Sequence, residues 1–302
     1  MDGLFVVEVV AAGLVSGMMY ALVALGFVLI FKASGVFNFA QGVMVLFAAQ
    51  TFVGMAQLFG SAATGDFAYW MALVAAVLAM IALAFFVERL VLRPLVNQPP
   101  ITLFMATIAL TFLLEGVSLL LWGSKPYSLD LGIPDDPIDV HGVLVRQLDL
   151  LAVGVAIVIV AVLGVFFRVT RIGRALRAVA DDHQAALSVG IPLNTMWIVV
   201  WSVSGIVALF AGLVWGAKLG VQSSMAVLAL KALPVLMVGG LTSIPGAILG
   251  GLLIGVGEKL AEVFIGPLIG GAIENWFAYV LALVILLLRP QGLLGEKIIE
   301  RV

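Results

Sequence analysis

The sequence predicts an all-α fold: a polytopic transmembrane helical bundle of eight or nine passes with discontinuous helices. Three observations carry that prediction. Hydrophobic residues make up 64% of the 302-residue chain and charged residues only 11%, against roughly 45–50% and about 25% in a soluble domain. Mean hydropathy is +1.25. Nine spans of about 20 apolar residues would take roughly 60% of the chain, which matches the apolar fraction. The few charges fall mainly in connectors between uncharged runs.

The runs are read in order. Residues 4–31 contain one charge, Glu8. Residues 36–59 contain none, but carry Asn38, Gln41, Gln50 and Gln57. Residues 68–87 are uncharged, and 101–122 hold only Glu115. Residues 150–167 and 195–217 are uncharged. From 219 to 257 the sole charge is Lys231, and this run is long enough for two segments joined by a tight break. Residues 268–288 contain only Glu274.

Basic residues gather on the cytoplasmic side of membrane proteins. Connector 168–194 holds Arg168, Arg171, Arg174 and Arg177, connector 88–100 holds Arg89 and Arg93, and the tail holds Arg289, Lys297 and Arg301. These three segments, with Lys32, are expected inside. Connector 123–149 has Lys125 and Arg146 against Asp130, Asp135, Asp136, Asp139 and Asp149, and is expected outside. The N-terminus is then outside and the C-terminus cytoplasmic, which requires an odd number of passes. Nine fits, with 219–257 crossing nearly twice. Two full spans and a re-entrant pair have the same hydropathy. The whole of 1–302 is expected to be a single transmembrane domain.

Composition also excludes functions. A net charge of −2 gives no case for nucleic-acid binding. There are no cysteines, hence no thiolate chemistry, and His141 and His183 are too few for a histidine-rich metal site. Neither a metal nor a cofactor is expected in this chain. Asp2 and Glu8 precede the first basic residue, Lys32, so a cleaved signal peptide is not expected.

Two interruptions stand out, because backbone groups freed within lipid must be buried in protein or line a cavity. The first, 32–42, combines Gly35 and Gly42 with the hydrogen-bonding side chains of Asn38 and Gln41. It suits an ordinary interfacial turn and, equally, a discontinuous helix beside a polar pathway. The second, 238–251, contains Gly239-Gly240 and Pro245, then Gly246, Gly250, Gly251 and, beyond, Gly255 at four-residue spacing. Small residues so spaced serve close helix packing. Charges inside spans are costly and mark function. Glu115 lies about 21 Å along its helix from Ile101, on one face with Thr107 and Thr111; snorkelling to the outer interface explains it as well as a pathway does. Lys231 precedes Pro234 by three residues; a structural ion pair or a helix-end bond is its other reading. Asn38, Gln41, Glu115 and Lys231 are the candidate pathway residues.

Connector 168–194 predicts a short amphipathic helix. Ile172, Ala175, Leu176, Val179, Ala186 and Leu187 form its apolar stripe, Arg177 and Asp181 pair at i, i+4, and Gly190 and Pro192 stop it. On composition it would lie on the inner leaflet with its arginines on anionic headgroups.

The order of features resembles the permease subunits of branched-chain amino-acid ABC importers, the LivH type. The residues that carry this are Gly13-Leu-Val-Ser-Gly-Met-Met-Tyr20-Ala-Leu-Val-Ala-Leu-Gly26, Phe37-Asn38-Phe39-Ala40-Gln41-Gly42, the connector at 174–191, Gly239-Gly240-Leu-Thr-Ser243-Ile-Pro245-Gly246-Ala247, and Arg289-Pro290-Gln-Gly292-Leu-Leu-Gly295. The similarity covers nearly the whole chain. Gln41 stands where the family often has histidine, which keeps hydrogen bonding and removes a titratable group. The resemblance implies a bacterial-type inner-membrane permease that moves a small amino acid or related solute inward by alternating access. It implies a second permease subunit, two ATP-binding subunits and an extracytoplasmic solute-binding protein. It also assigns Arg174, Arg177, Asp181 and Asp182 to a helix that docks on the ATPase, in place of the leaflet reading. The chain has no Gly-x-x-x-x-Gly-Lys-Ser/Thr phosphate loop, so ATP would be hydrolysed by partner chains. A stand-alone secondary transporter or channel is the rival reading, with Glu115 as thin support. An intramembrane enzyme would need a nucleophile or paired acids at depth, and neither is evident.

Overall fold

The computed structural model describes residues 3–60, 66–95, 98–133, 136–140, 143–181 and 183–295. Asp135 and Asp182 therefore lie outside the described residues. The order is α1 (Gly3–Ser34), α2 (Gln41–Gly60), α3 (Asp66–Val87), a π turn (Glu88–Leu92) with a short 3-10 turn (Arg93–Leu95), and α4 (Pro100–Trp122). Then come β1 (Pro137–Val140), β2 (Val143–Arg146), α5 (Gln147–Val169), α6 (Arg171–Asp181), α7 (His183–Ser188) and α8 (Leu193–Leu219). The chain closes with α9 (Ser224–Ala229), α10 (Ala232–Gly239), α11 (Ile244–Phe264), α12 (Gly266–Ile269), a 3-10 turn (Ile273–Asn275) and α13 (Phe277–Leu288).

Among the described residues six helices are long and apolar enough to cross a membrane. A seventh crossing is counted if the pair Ser224–Gly239 and Ile244–Phe264, bent by 113°, is one span, and Phe277–Leu288 is a shorter apolar helix. Eight or nine passes are thus not reached on length alone, because among the described residues after α8 only α11 is long, while α9, α10, α12 and α13 have 6, 8, 4 and 12 residues. The helical bundle is as expected. Connector 123–149 departs from it: β1 and β2 pair antiparallel in the register Pro137↔Arg146 and Ile138↔Val145.

Contacts cluster into two compact units. One comprises Met1–Val28, Asp130–Val158 and Leu230–Val302; the other comprises Leu29–Leu129 and Ile159–Ala229. In the second unit α2 is buried along most of its length, from Gln41 to Gly54. Helix α3 meets its neighbours through Ala68, Ala72, Ala76, Met80 and Ala84, all buried, while Phe67, Trp70, Val74, Leu78 and Phe85 are exposed. This inversion, small inside and large outside, follows from the solvent. Lipid tails are as apolar as leucine, so helices associate through close backbone packing rather than by burying bulk. At two other points the approach is closer still. A Cβ at Gly212 would stand 2.5 Å from the Val45 carbonyl, and one at Gly42 would stand 2.7 Å from that of Ala226.

The first unit uses the same device. Gly13 of α1 lies against Gly255 and Val256 of α11, and Gly17 lies against Gly251 and Leu252. Rising numbers on α1 meet falling numbers on α11, so the two helices run antiparallel. Both carry glycines four residues apart, which put two gaps on one face. Of the glycines read from the sequence as packing positions, Gly251 and Gly255 hold this crossing, and Gly250 packs against Val235 and Gly239 of α10.

The break at Gly240–Ser243 separates α10 from α11. Gly240 adopts φ +104°, a conformation that costs glycine little and other residues much. Ser243 caps α11, its hydroxyl accepting from the Gly246 N–H at 3.0 Å, and Pro245 follows in the first turn where no amide is needed. The C-terminal tail closes over the break: Leu293 N–H donates to Val238 O at 2.8 Å and Leu294 N–H to Gly239 O at 3.1 Å. The chain therefore leaves this break along α11 and returns to it after α13.

Candidate functional site

The first interruption forms a buried polar knot in the second unit. Residues 35–40 leave the helical path between α1 and α2, freeing backbone groups that need partners. The Asn38 carboxamide accepts from the Ala40 N–H at 3.1 Å, holding the turn into α2. Its amide donates to Gln41 Oε1 at 3.3 Å. The Ser204 hydroxyl of α8 donates to the same Gln41 oxygen at 3.0 Å. From α4, Thr107 Oγ1 accepts from the Phe39 N–H at 3.1 Å and lies 3.1 Å from the Phe37 carbonyl. The Phe104 ring packs edge-on against Phe39, centroids 6.1 Å apart. Asn38, Gln41 and Ser204 have no exposed surface. Gln41 Nε2 has no hydrogen-bond partner, and an unmet buried donor costs about 1–3 kcal/mol. The knot thus joins α2, α4 and α8 around the break and holds one unspent donor.

Glu115 sits on the face of α4 that includes Thr111. Thr111 donates to the Thr107 carbonyl at 3.0 Å. Ser118, three residues past Glu115, donates to Gln50 of α2. Glu115 itself is half-buried.

Lys231 belongs to a second, charged cluster in the first unit. It lies in the gap between α9 and α10. Its ammonium donates to the Glu274 carbonyl at 2.9 Å and is 3.7 Å from Glu258 Oε1. It also stands 5.8 Å from the centre of the Tyr20 ring. The Tyr20 hydroxyl donates to Glu258 Oε2 at 3.1 Å. Farther out, Lys259 Nζ pairs with Glu274 Oε1 at 2.6 Å. The Glu262 carboxylate accepts from the N–H groups of Ala272 at 3.0 Å and Glu274 at 3.1 Å, fixing the loop that presents Glu274. Glu258 is 1% exposed. A carboxylate so buried is tolerable because an ammonium and a phenol lie beside it.

The α1–α11 crossing brings this cluster together. Side chains on a helix lean toward its N-terminus. In an antiparallel pair, residues just past the crossing on each helix therefore lean toward each other. Tyr20 is three residues past Gly17, and Glu258 three past Gly255. Reading charges run by run misses Glu258, because it lies one residue beyond an apolar segment. The matched spacings Gly13-Gly17-Tyr20 and Gly251-Gly255-Glu258 are the signal that could have found the pair.

Helix α6 begins directly after α5. Thr170 caps it, its hydroxyl accepting from the Gly173 N–H at 2.9 Å. A Cβ at Gly173 would stand 2.6 Å from Phe167 Cα, so the two helices touch at backbone level. Arg174 donates to the Val169 carbonyl at 2.9 Å. Gly173, Leu176, Val179 and Ala186 face inward, while Arg174, Arg177 and Asp181 are exposed. The expected stripe shifts accordingly: Ile172 is exposed beside the close approach at Gly173, and Leu187, on the separate helix α7, is exposed too.

A family model described as "Branched-chain amino acid transport system / permease component" matches residues 9–289. The high-affinity branched-chain amino acid transport system permease protein BraD of Pseudomonas aeruginosa is 29% identical over 302 residues, covering 96% of each chain. The corresponding permease protein LivH of Escherichia coli K12 is 25% identical over 300 residues, again covering 96% of each chain. A solved structure, PsaBC from Streptococcus pneumoniae in complex with Fab, aligns with a TM-score of 0.49 at 17% identity, covering 93% of this chain and 91% of that one.

Proposed function

The chain belongs to the branched-chain amino acid transport system permease component family, and from that premise we propose that it is the membrane-spanning subunit of an importer driven by ATP hydrolysed on partner chains. The observation that carries this reading is the match over residues 9–289, which takes in both interruptions and the α5–α6 junction. The solute is a small amino acid or a close relative, moved inward by alternating access. A second permease subunit completes the membrane part, two ATP-binding subunits dock from the cytoplasm, and an extracytoplasmic solute-binding protein delivers the solute.

The α6 geometry supports the division of labour. Exposed Arg174, Arg177 and Asp181 face a partner, and the backbone contact at Gly173 passes a push on α6 directly to α5. Asp182 is placed with them by the sequence alone. Asn38 and Gln41 act in gating, since the knot joins three helices and keeps a free donor. Lys231 lies on the solute's path, and Glu115 stands nearer the outer end. The N-terminus is outside and the C-terminus cytoplasmic. The basic residues of connectors 88–100 and 168–194 and of the tail support this through the positive-inside rule.

Purification of the tagged chain from its own host tests the reading. Co-purification of an ATP-hydrolysing subunit, identified by mass spectrometry, is the expected result. Isolation of an active transporter containing this chain alone contradicts it.

A further inference from the structure

We propose that Lys231 and Glu258 form a recognition site for the two charges of an α-amino acid, the solute's carboxylate going to Lys231 and its ammonium to Glu258. This rests on the importer reading above and deepens it by naming two residues and a ligand chemistry.

The geometry differs from that of an ion pair built only to hold helices together. Buried structural pairs gain from close, directed hydrogen bonds that satisfy both partners. Here the charged atoms are 3.7 Å apart, and Glu258 Oε1, although buried, accepts no hydrogen bond. Each group is instead positioned by a third. The Glu274 carbonyl holds the ammonium at 2.9 Å, and the Tyr20 hydroxyl holds the other carboxylate oxygen at 3.1 Å. A carboxylate oxygen and an ammonium thus face each other, preorganised and incompletely used.

A zwitterion complements that arrangement. Its ammonium supplies the donor that Glu258 Oε1 lacks, and its carboxylate takes the N–H groups Lys231 does not spend on Glu274. It adds no net charge to a low-dielectric site, and the desolvation of each of its charged ends is offset by an opposite charge on the protein. Access is from the lysine side, where the side chain is 13% exposed against 2% for Glu258. Lys231 also lies in the two-residue turn that separates α9 from α10, and transporters form solute sites where helices are interrupted.

The test uses the complex purified through this chain, placed in liposomes with ATP and its solute-binding protein supplied, and radiolabelled leucine as the probe. Wild-type uptake is measured first. Absence of leucine uptake overturns the amino-acid reading and this site together. Given uptake, Lys231→Met/Glu258→Gln is compared. Removing both charges leaves no ion buried alone, so a purely structural pair predicts an active, stable variant. The recognition site predicts normal assembly with leucine uptake lowered about tenfold or more, the effect of losing charge-assisted hydrogen bonds. Glu258→Asp keeps both charges and draws the carboxylate back by one methylene. It is expected to lower uptake severalfold at an unchanged melting temperature, and it decides the matter if the double variant does not assemble. Wild-type uptake by the decisive variant overturns the site and leaves the importer reading standing.

Discussion

The α1–α11 crossing offers a prediction with a worked magnitude. In Gly251→Ala the new Cβ stands 2.5 Å from the Gly17 carbonyl oxygen and 2.8 Å from Ala21 Cβ. Ordinary contact begins at 3.4 Å, so the helices must part by about 0.9 Å. The nearest obstacle is backbone, and no flexible side chain can yield. Overpacking of this kind costs about 1–3 kcal/mol, or roughly 5- to 150-fold in the unfolding equilibrium. Gly17→Ala meets the Gly251 carbonyl from the other side and belongs to the same class. Gly154→Ala and Gly164→Ala in α5 are the controls. Nothing lies within 4 Å of either new Cβ, so helix propensity favours alanine by up to about 1 kcal/mol. The assay is thermal unfolding of the purified complex, followed by size-exclusion monodispersity, with uptake measured in parallel. Gly251→Ala should melt lower and transport less, since parting the helices also pulls Tyr20 from Glu258. Equal melting temperatures across all four variants would refute the claim that bare backbone contact sets this crossing.

Other predictions follow from the polar groups. Lys231→Met alone leaves Glu258 buried without its counter-charge and should destabilise by about 3–5 kcal/mol; adding Glu258→Gln should recover most of the lost melting temperature. Ser204→Ala removes one of two donors to Gln41 Oε1 and leaves the Asn38 amide in place, so it should cost about 0.5–1.5 kcal/mol, seen as a lower melting temperature. Arg177→Glu reverses an exposed charge on α6 and should separate ATP hydrolysis from uptake at unchanged stability; normal coupled uptake removes α6 from the docking surface.

The sequence made the interruptions legible because glycine, proline and carboxamides are rare inside apolar runs and each has a local backbone reason to be there. Gly35, Asn38 and Gly240 fall at real breaks in the helices, and Pro245 sits in the first turn after one. It also marked Lys231, since a lone cation in a long apolar run is conspicuous. Its partners were not legible from local pattern. Glu258 is 27 positions away, Tyr20 is 238 positions from Glu258, and only the antiparallel crossing brings them together. The same limit hid Ser204, one more hydroxyl in an apolar helix until it is seen 3.0 Å from Gln41. The face of α6 was misplaced for a related reason. Periodicity ranks residues by apolarity, so it put Ile172 inside, whereas contact with α5 selects the residue without a side chain, Gly173. The pass count is hard to read because segments such as Phe277–Leu288 are too short to be recognised by length.

Leucine uptake into proteoliposomes tests the central claim most directly. The chain purified with its partners is compared with the chain alone, each with and without ATP inside a binding-protein-supplied system. The account predicts uptake only by the assembled complex and only with ATP. Uptake by the isolated chain, independent of ATP, would contradict it.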